Sequence, residues 1–543
     1  MSPFAPSPFQ SILATNAVPT ASHRQDIRVF LTTPLAELAG LEEEVARLQV
    51  LVEESKIRLK AQKEVAGGYE ALISPLRGLP DDLVRAIFLE TLPVSRAAAF
   101  VADEGPMLLC RVCRAWKELA LTTPRLWASM HIVFPEVTRV PRVVAMVSTW
   151  LACSGAVPLS ISIVASRMCG REANYQLQPL LALLIPHARR WQSLEIEFHP
   201  EDKSHDILGQ LRTEEVPLLR HFKMSFYHHP SGYDVYAPPP LLTYPFLRTP
   251  SLRSFNYTGQ HSTAPRIVPW ANLHHLKLFI YESNSGAQVL PSIVHARQLR
   301  TLDISIRDEF GPIPEAELQV TFPYLEELRI DTYDPESAKH FLRALHAPQL
   351  TRLMHSVFRA PADMAEPLRL AKESIRGLSE FEVVLRACSL EHLRALLHAM
   401  PTLESLTVVG EPHGLAAHWD EHDAEFLELF VPPLGAPPVV PLLRVLKLSQ
   451  VTWTANATIL GVLRGRVGQS AIDNGLEALR MVEIDFGRAR GKNEELASEG
   501  GVKEAVNAGT LELVVKYRPQ MGWTYSLLEG TERDEVETYY DEY

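Results

Sequence analysis

The chain has 543 residues, 46% of them apolar and 22% charged, with a net charge of −12 from 53 basic and 65 acidic side chains. That length allows two to four domains or one long repeat array, and the composition is that of a folded globular chain. An acidic chain with no Lys/Arg-dense block excludes no fold. It argues against nucleic acid, which needs a basic face against its phosphates, and against an anionic membrane surface.

Five cysteines, Cys110, Cys113, Cys153, Cys169 and Cys388, are too few and too scattered for a disulfide framework. They fit a reducing intracellular compartment, cytoplasmic and/or nuclear. The opening residues lack the basic start and apolar core of a secretory leader, and no apolar run approaches the ~20 residues of a membrane helix.

Residues 1–30 are rich in Pro, Ser and Ala without a period, so a mostly disordered leader is expected there. Residues 31–68 read as a helix. From Leu38 the positions Leu38, Leu41, Val45, Leu48, Val52, Ser55, Leu59 and Gln62 alternate in steps of three and four, the pattern of a narrow coiled-coil seam. Two of these positions are polar, so two readings stay open: self-association through residues 38–62, or a single helix packed on its own chain or left partly exposed. Gly67-Gly68 is expected to end the helix.

Residues 74–130 carry two short amphipathic helices. Pro80 suits a first helical turn, and Asp81 and Asp82 follow where the positive helix end favours them. Leu83, Val84, Ile87 and Phe88 form one apolar face. Residues 93–106 break the pattern, and a second helix is expected over MLLCRVCRAWKELALTTP, with Leu109, Val112, Cys113, Trp116, Leu119 and Ala120 on one side. The pair is too small to bury both faces unaided, so a partner or the following domain should cover part of it.

From about residue 140 to 515 one template recurs, apolar-x-x-apolar-x-apolar. It begins at Trp191, Leu219, Leu252, Leu273, Leu299, Leu325, Leu350, Leu378, Leu403, Leu443 and Leu479, and one copy ends in a polar residue, His355. Between Leu273 and Leu403 the copies are 25 to 28 residues apart. That is the period of leucine-rich repeats, whose strands pair side by side over one continuous core. The Asn or Cys such repeats place three residues later is absent; His199, Tyr227, Tyr281 and Arg307 stand there instead. The expected fold is therefore α+β or α/β: an N-terminal helix, a small all-helical module and an irregular, leucine-rich-repeat-like solenoid. Insertions at 226–250 and 409–440 are either binding loops or tolerated surface loops. Residues 525–543 read as an acidic tail.

Residues 79–130 resemble the F-box. The resemblance rests on Leu79-Pro80, Leu83, Ile87-Phe88, Val112-Cys113-Arg114-x-Trp116, Leu119-Ala120 and Pro124-x-Leu126-Trp127. The long insert VSRAAAFVADEG, the preceding helix, Trp150-Leu151-Ala152-Cys153-Ser154-Gly155, Pro158-Leu159-Ser160-Ile161-Ser162 and Pro186-His187 before Trp191 extend it to the F-box proteins common in mushroom-forming (basidiomycete) fungi, which carry degenerate leucine-rich repeats. The resemblance implies a substrate-recognition subunit of an SCF-type cullin–RING ubiquitin ligase. Leu79, Pro80, Leu83, Ile87, Phe88, Val112, Cys113 and Trp116 would contact a Skp-type adaptor, and through it a cullin scaffold, while the repeats hold an unknown protein substrate. The plainer reading of Val112 and Trp116 is that they hold the small bundle together.

No catalytic, cofactor or metal site is expected. Cys110-x-x-Cys113 lacks the second ligand pair a zinc site needs, and the adjacent pairs His228-His229 and His274-His275 point apart. No HExxH, nucleophile-elbow or phosphate-loop motif occurs. Two other readings remain beside the ligase receptor. One is an F-box and repeat scaffold without a ligase role. The other is an enzyme on an α/β repeat scaffold.

Overall fold

The fold is given by a computed structural model that describes residues 9–13, 18–73, 75–134, 139–165, 177–198, 204–226, 244–259, 268–280, 293–306, 320–332, 335–357, 365–375, 377–384, 390–409, 426–427, 429–430, 439–449, 456–486, 500–517 and 531. The chain divides into two compact units, Met1–Val84 and Arg85–Tyr543.

The first unit is dominated by α1, a 52-residue helix over Ala21–Leu72. The Thr20 hydroxyl caps it by accepting a hydrogen bond from the His23 amide at 3.3 Å. Residues 21–30, expected to be irregular, are thus helical. They contain neither Gly nor Pro, and a helix that faces water on every side needs no apolar period to announce it. Nor does Gly67-Gly68 end the helix, which runs on to Leu72. Both glycines are exposed, with no atom within 4 Å of a Cβ placed there, so their cost is conformational only. The apolar seam side chains are exposed, from Leu48 at 47% to Leu41 at 67%. Of the expected leader, residues 1–8 and 14–17 lie outside the described residues, and Gln10–Leu13 forms one helical turn.

The division between the units falls inside α2 (Asp81–Glu90). The segment expected to be one second helix is two, α3 (Gly105–Val112) and α4 (Arg114–Leu121). Cys113 between them is fully extended, at φ −158° and ψ 170°, which no helix can pass through.

The rest of the second unit is a fourteen-stranded parallel sheet. Its strands are β1 (Ser129–Phe134), β2 (Leu159–Ala165), β3 (Trp191–Phe198), β4 (His221–Phe226), β5 (Ser254–Gly259), β6 (His275–Ile280) and β7 (Thr301–Ile306). They continue as β8 (Glu327–Thr332), β9 (Arg352–Val357), β10 (Glu380–Val384), β11 (Ser405–Val409), β12 (Val445–Ser449), β13 (Met481–Phe486) and β14 (Glu512–Tyr517). Each strand pairs with the next in chain order. Every one of the eleven template copies falls on a strand. The sheet also starts earlier than residue 140, at Ser129, and β1, β2 and β14 lie outside the eleven copies.

The register explains the template. Leu194, Phe222, Phe255, Leu276, Leu302 and Leu328 stand in one row across β3 to β8, and Ile196, Met224, Tyr257, Leu278, Ile304 and Ile330 in the next row on the same face. All are at most 2% exposed, as are the leucines that open the copies from Leu219 to Leu479. Ten of the eleven copies therefore bury three large apolar side chains, each worth roughly 1.5–3 kcal/mol of transfer, and the copy that opens at Leu350 buries two and His355. Helices such as Val140–Cys153, Ala365–Glu373 and Asn456–Arg466 fill several of the connections. The expected Asn-ladder positions His199, Tyr227, Tyr281 and Arg307 lie outside the described residues.

Two polar side chains sit in this interior. His355 occupies an aliphatic place, in register with Ile330 and Val383, and is 3% exposed. Its Nδ1 has no hydrogen-bond partner, and burial pushes its pKa down to about 4. Arg466 is 1% exposed and donates to three carbonyls, Phe430 O at 2.9 Å, Val440 O at 3.1 Å and Val439 O at 2.5 Å. It ties Phe430, within the 409–440 insertion, to Val439 and Val440 at its end. Burial lowers its pKa to about 10, so it stays charged at neutral pH. Most of the two insertions and all of the tail at 525–543 except Thr531 lie outside the described residues.

Substitutions on the two faces of the sheet should separate cleanly. Leu302→Ala should lower the urea-unfolding stability by about 2–5 kcal/mol. Lys277→Ala, whose side chain is on the other face and about half exposed, should change it by under about 1 kcal/mol. For His355 the folded pKa lies below the unfolded value of about 6.5, so the unfolded chain binds more protons in that window. The protonation-linked cost of the histidine vanishes well above pH 6.5 and reaches about 3 kcal/mol once the pH has fallen below about 4. His355→Leu should therefore flatten the fall in melting temperature between pH 7 and pH 4.

Candidate functional site

Helix α2 starts directly after Pro80, whose carbonyl accepts from the amides of Leu83 at 3.0 Å and Val84 at 3.2 Å. The expected single apolar face divides into two stripes, each with i, i+4 spacing. Val84 and Phe88 are buried, at 7% and 0% exposure. Leu83 and Ile87 are exposed, at 53% and 43%. Helix α3 repeats the division: Leu109 is buried at 2%, while Leu108 and Val112, four residues apart, are exposed at 41% and 54%.

Phe88 meets the edge of Trp116 from α4, with ring centroids 4.9 Å apart. Such a pair adds about 0.5–1.5 kcal/mol beyond its buried area. Trp116 is half-buried, so one part of its ring is packed and another faces water. Cys113 is exposed, and its thiol caps α4 by accepting from the Trp116 amide at 3.4 Å. Leu79 is half-buried and Pro80 exposed. The structure thus assigns the eight expected residues unlike places. Leu83, Ile87 and Val112 present apolar surface to solvent, Phe88 and Trp116 pack together, and Cys113 shapes the backbone. Leu108 was not among the expected residues. The sequence places Leu109, not Leu108, with Val112 on one side, whereas Leu108 shares the exposed stripe with Val112.

The insert at 93–106 joins this helical module to the sheet. Glu104 is 6% exposed and pairs through both carboxylate oxygens with Arg96, one bond being 2.9 Å. The same carboxylate accepts from the Ala99 amide at 3.2 Å. The Ala98 carbonyl accepts from the His131 amide of β1 at 2.7 Å. At the other end, the Trp127 indole donates to the Ala120 carbonyl that ends α4, at 2.9 Å, and packs edge-on against Trp150 at 4.8 Å. The Cys110 thiol is held in its protonated form, its pKa raised chiefly by burial. Among the described residues no three His, Cys, Asp or Glu side chains are grouped so as to hold a metal ion. Among them, too, no helix is long and apolar enough to cross a membrane.

The second candidate surface is the polar face of the sheet. Opposite the buried rows stand Glu195, Lys223, Asn256, Lys277, Asp303 and Arg329 in one register row. These charges largely answer one another: Lys223–Glu195 at 3.5 Å, Lys277–Asp303 at 2.7 Å, Arg329 with Asp303 and Glu382 at 3.9 Å each. Farther along, Glu483 takes Lys447 at 3.7 Å and Lys516 at 2.7 Å. An open depression of about 240 Å3 lies on this face, lined by Asn256, His275, Lys277, Asp303 and Glu327 among others. The His275 Nδ1 lies 2.9 Å from the Thr301 hydroxyl, and its pKa is lowered, first by burial and then by His274, His221 and Arg300. The Asn256 Oδ1 atom is buried there without a hydrogen-bond partner. Such a face can accept polar and charged groups from a partner chain.

If the two stripes have the roles their burial indicates, Phe88→Ala should lower stability by about 3–5 kcal/mol in a chemical-denaturation measurement. Ile87→Asp and Val112→Asp should each stay within about 0.5–1 kcal/mol.

No known protein-family model and no curated protein matches this chain.

Proposed function

We propose that the chain is an F-box protein, the substrate-recognition subunit of an SCF-type cullin–RING ubiquitin ligase. The observation that carries this reading is the exposed aliphatic surface of the helical module. Leu83 and Ile87 on α2, and Leu108 and Val112 on α3, are left in water by a module that buries Phe88, Leu109 and Ala120. Large aliphatics fixed on short helices are what a helical partner buries. They fall on the segment whose motif resembles the F-box, so the partner is a Skp-type adaptor and, through it, a cullin.

Fourteen parallel strands in chain order, eleven of them on copies of the template, support a leucine-rich-repeat-like solenoid that is irregular in its connections. Its polar face, with Lys277, Asp303 and Arg329, receives the protein substrate. The chain supplies no catalytic group. It raises the local concentration of substrate lysines near a charged ubiquitin carrier, in the cytoplasm or nucleus.

The test is co-purification of the full chain with a basidiomycete Skp-type adaptor. The wild-type chain should form a stable complex, and the doubly substituted chain Ile87→Asp, Val112→Asp should lose it with an unchanged melting temperature. A folded wild-type chain that captures no adaptor would overturn the proposal. The module would then be a structural cap on the sheet.

A further inference from the structure

The helix α1 is exposed along its whole seam, and its flanking charges select an occupant. With Leu38 as an a position, the a/d seam is Leu38, Leu41, Val45, Leu48, Val52, Ser55, Leu59 and Gln62. The e positions beside it are Glu42, Gln49, Lys56 and Lys63, and the g positions Glu37, Glu44, Leu51 and Arg58. The amino-terminal half of each flank is therefore acidic and the carboxy-terminal half basic.

Two copies could meet in either direction, and the seam alone does not choose. In a parallel pair each g residue faces the e residue five positions later on the other helix. That sets Glu37 against Glu42 and Arg58 against Lys63, like charges at both ends and twice each by symmetry. It also sets Leu51 against Lys56. In an antiparallel pair centred on residue 50, Leu41 faces Leu59 and Leu48 faces Val52 across the seam, with g facing g and e facing e. Glu44 then meets Arg58, Glu42 meets Lys56 and Lys63, and Leu51 meets its own copy at the two-fold axis. Ser55 and Gln62 fall opposite Val45 and Leu38, where Ser is small and Gln can reach water at the end of the seam.

We infer that residues 38–62 are the self-association site of this protein, forming an antiparallel two-stranded coiled coil with a second copy of the same chain. An isologous contact of this kind closes on itself as a dimer. In the single chain Glu44 is occupied by Arg47 at 2.8 Å and Arg58 by Glu54 at 3.8 Å, both exposed i, i+3 or i, i+4 pairs. Such exposed pairs are weak and exchange readily for a partner across a dry seam. Self-association of this kind rests on α1 alone and is independent of adaptor binding.

The experiment is sedimentation equilibrium of the full chain at low ionic strength, with circular dichroism to confirm that helix content is unchanged. The wild-type chain should be a dimer. Glu42→Lys with Arg58→Glu should weaken it roughly tenfold or more, because every flanking pair above becomes like-charged. The same double substitution would tighten a parallel pair, since the like-charged g–e contacts at both of its ends would become opposite-charged. Glu44→Lys with Arg58→Glu, which swaps one antiparallel pair, should restore wild-type dimerisation. A monomeric wild-type chain, an unaffected Glu42→Lys/Arg58→Glu dimer or a tightened one would each overturn the inference.

Discussion

Two parallel strands can be neighbours only if the chain returns to its starting edge between them, and that constraint organises the second unit. Each return takes a connection of a dozen or more residues. The connection must cover one sheet face, so the three template residues of each copy, apolar except for His355, point into the space between strand and connection. Leu299, Leu302 and Ile304 do this in one copy, and Leu325, Leu328 and Ile330 in the next, all of them fully buried. Because the same three places recur, the side chains stack in continuous rows. The rows hold connections of very different length and shape. That is why helices fill several connections while another includes the 3₁₀ turn Trp270–Asn272.

The same rows set the tolerance for polar residues. His355 stands in register between Ile330 and Val383 and stays neutral at neutral pH, because no partner offsets the cost of burying its charge. Arg466 remains a cation because three backbone carbonyls receive its guanidinium. One buried group adapts by giving up its proton, the other by finding acceptors. The difference lies in what the surrounding chain offers.

The helical module depends on the sheet for its rigidity. Arg96 and Glu104 neutralise each other in a nearly dry place, and the carboxylate also fixes the Ala99 amide beside β1. Trp127 locks the end of α4 and leads straight into the sheet. A module anchored at these points can leave Ile87, Leu108 and Val112 in water without collapsing over them. The long helix α1 shows the opposite economy. Its apolar seam side chains are exposed, and the charges that flank the seam are acidic in the first half and basic in the second.

Much of this architecture is legible in the amino-acid sequence, because strand burial repeats on a template of fixed spacing and parallel returns repeat on a fixed length. The eleven copies from Trp191 to Leu479 all mark strands for that reason. The three other strands show where the template is incomplete or disguised. β1 satisfies it with Trp127, Met130 and Ile132, residues that also read as the end of the helical module. β2 opens with Pro158 and β14 with Thr510 where a leucine would stand. The heptad of α1 is equally plain, but its start at Ala21 is not, since a solvated helix carries no apolar period there. The candidate site is legible only in part. Helical spacing places Leu83 with Ile87 and Val84 with Phe88, yet which pair is buried depends on Trp116 reaching Phe88. Leu109 and Val112, expected on one side, also separate: Leu109 is buried and Val112 exposed. Periodicity determines which residues share a face; only the packing of elements distant in sequence decides which face is covered.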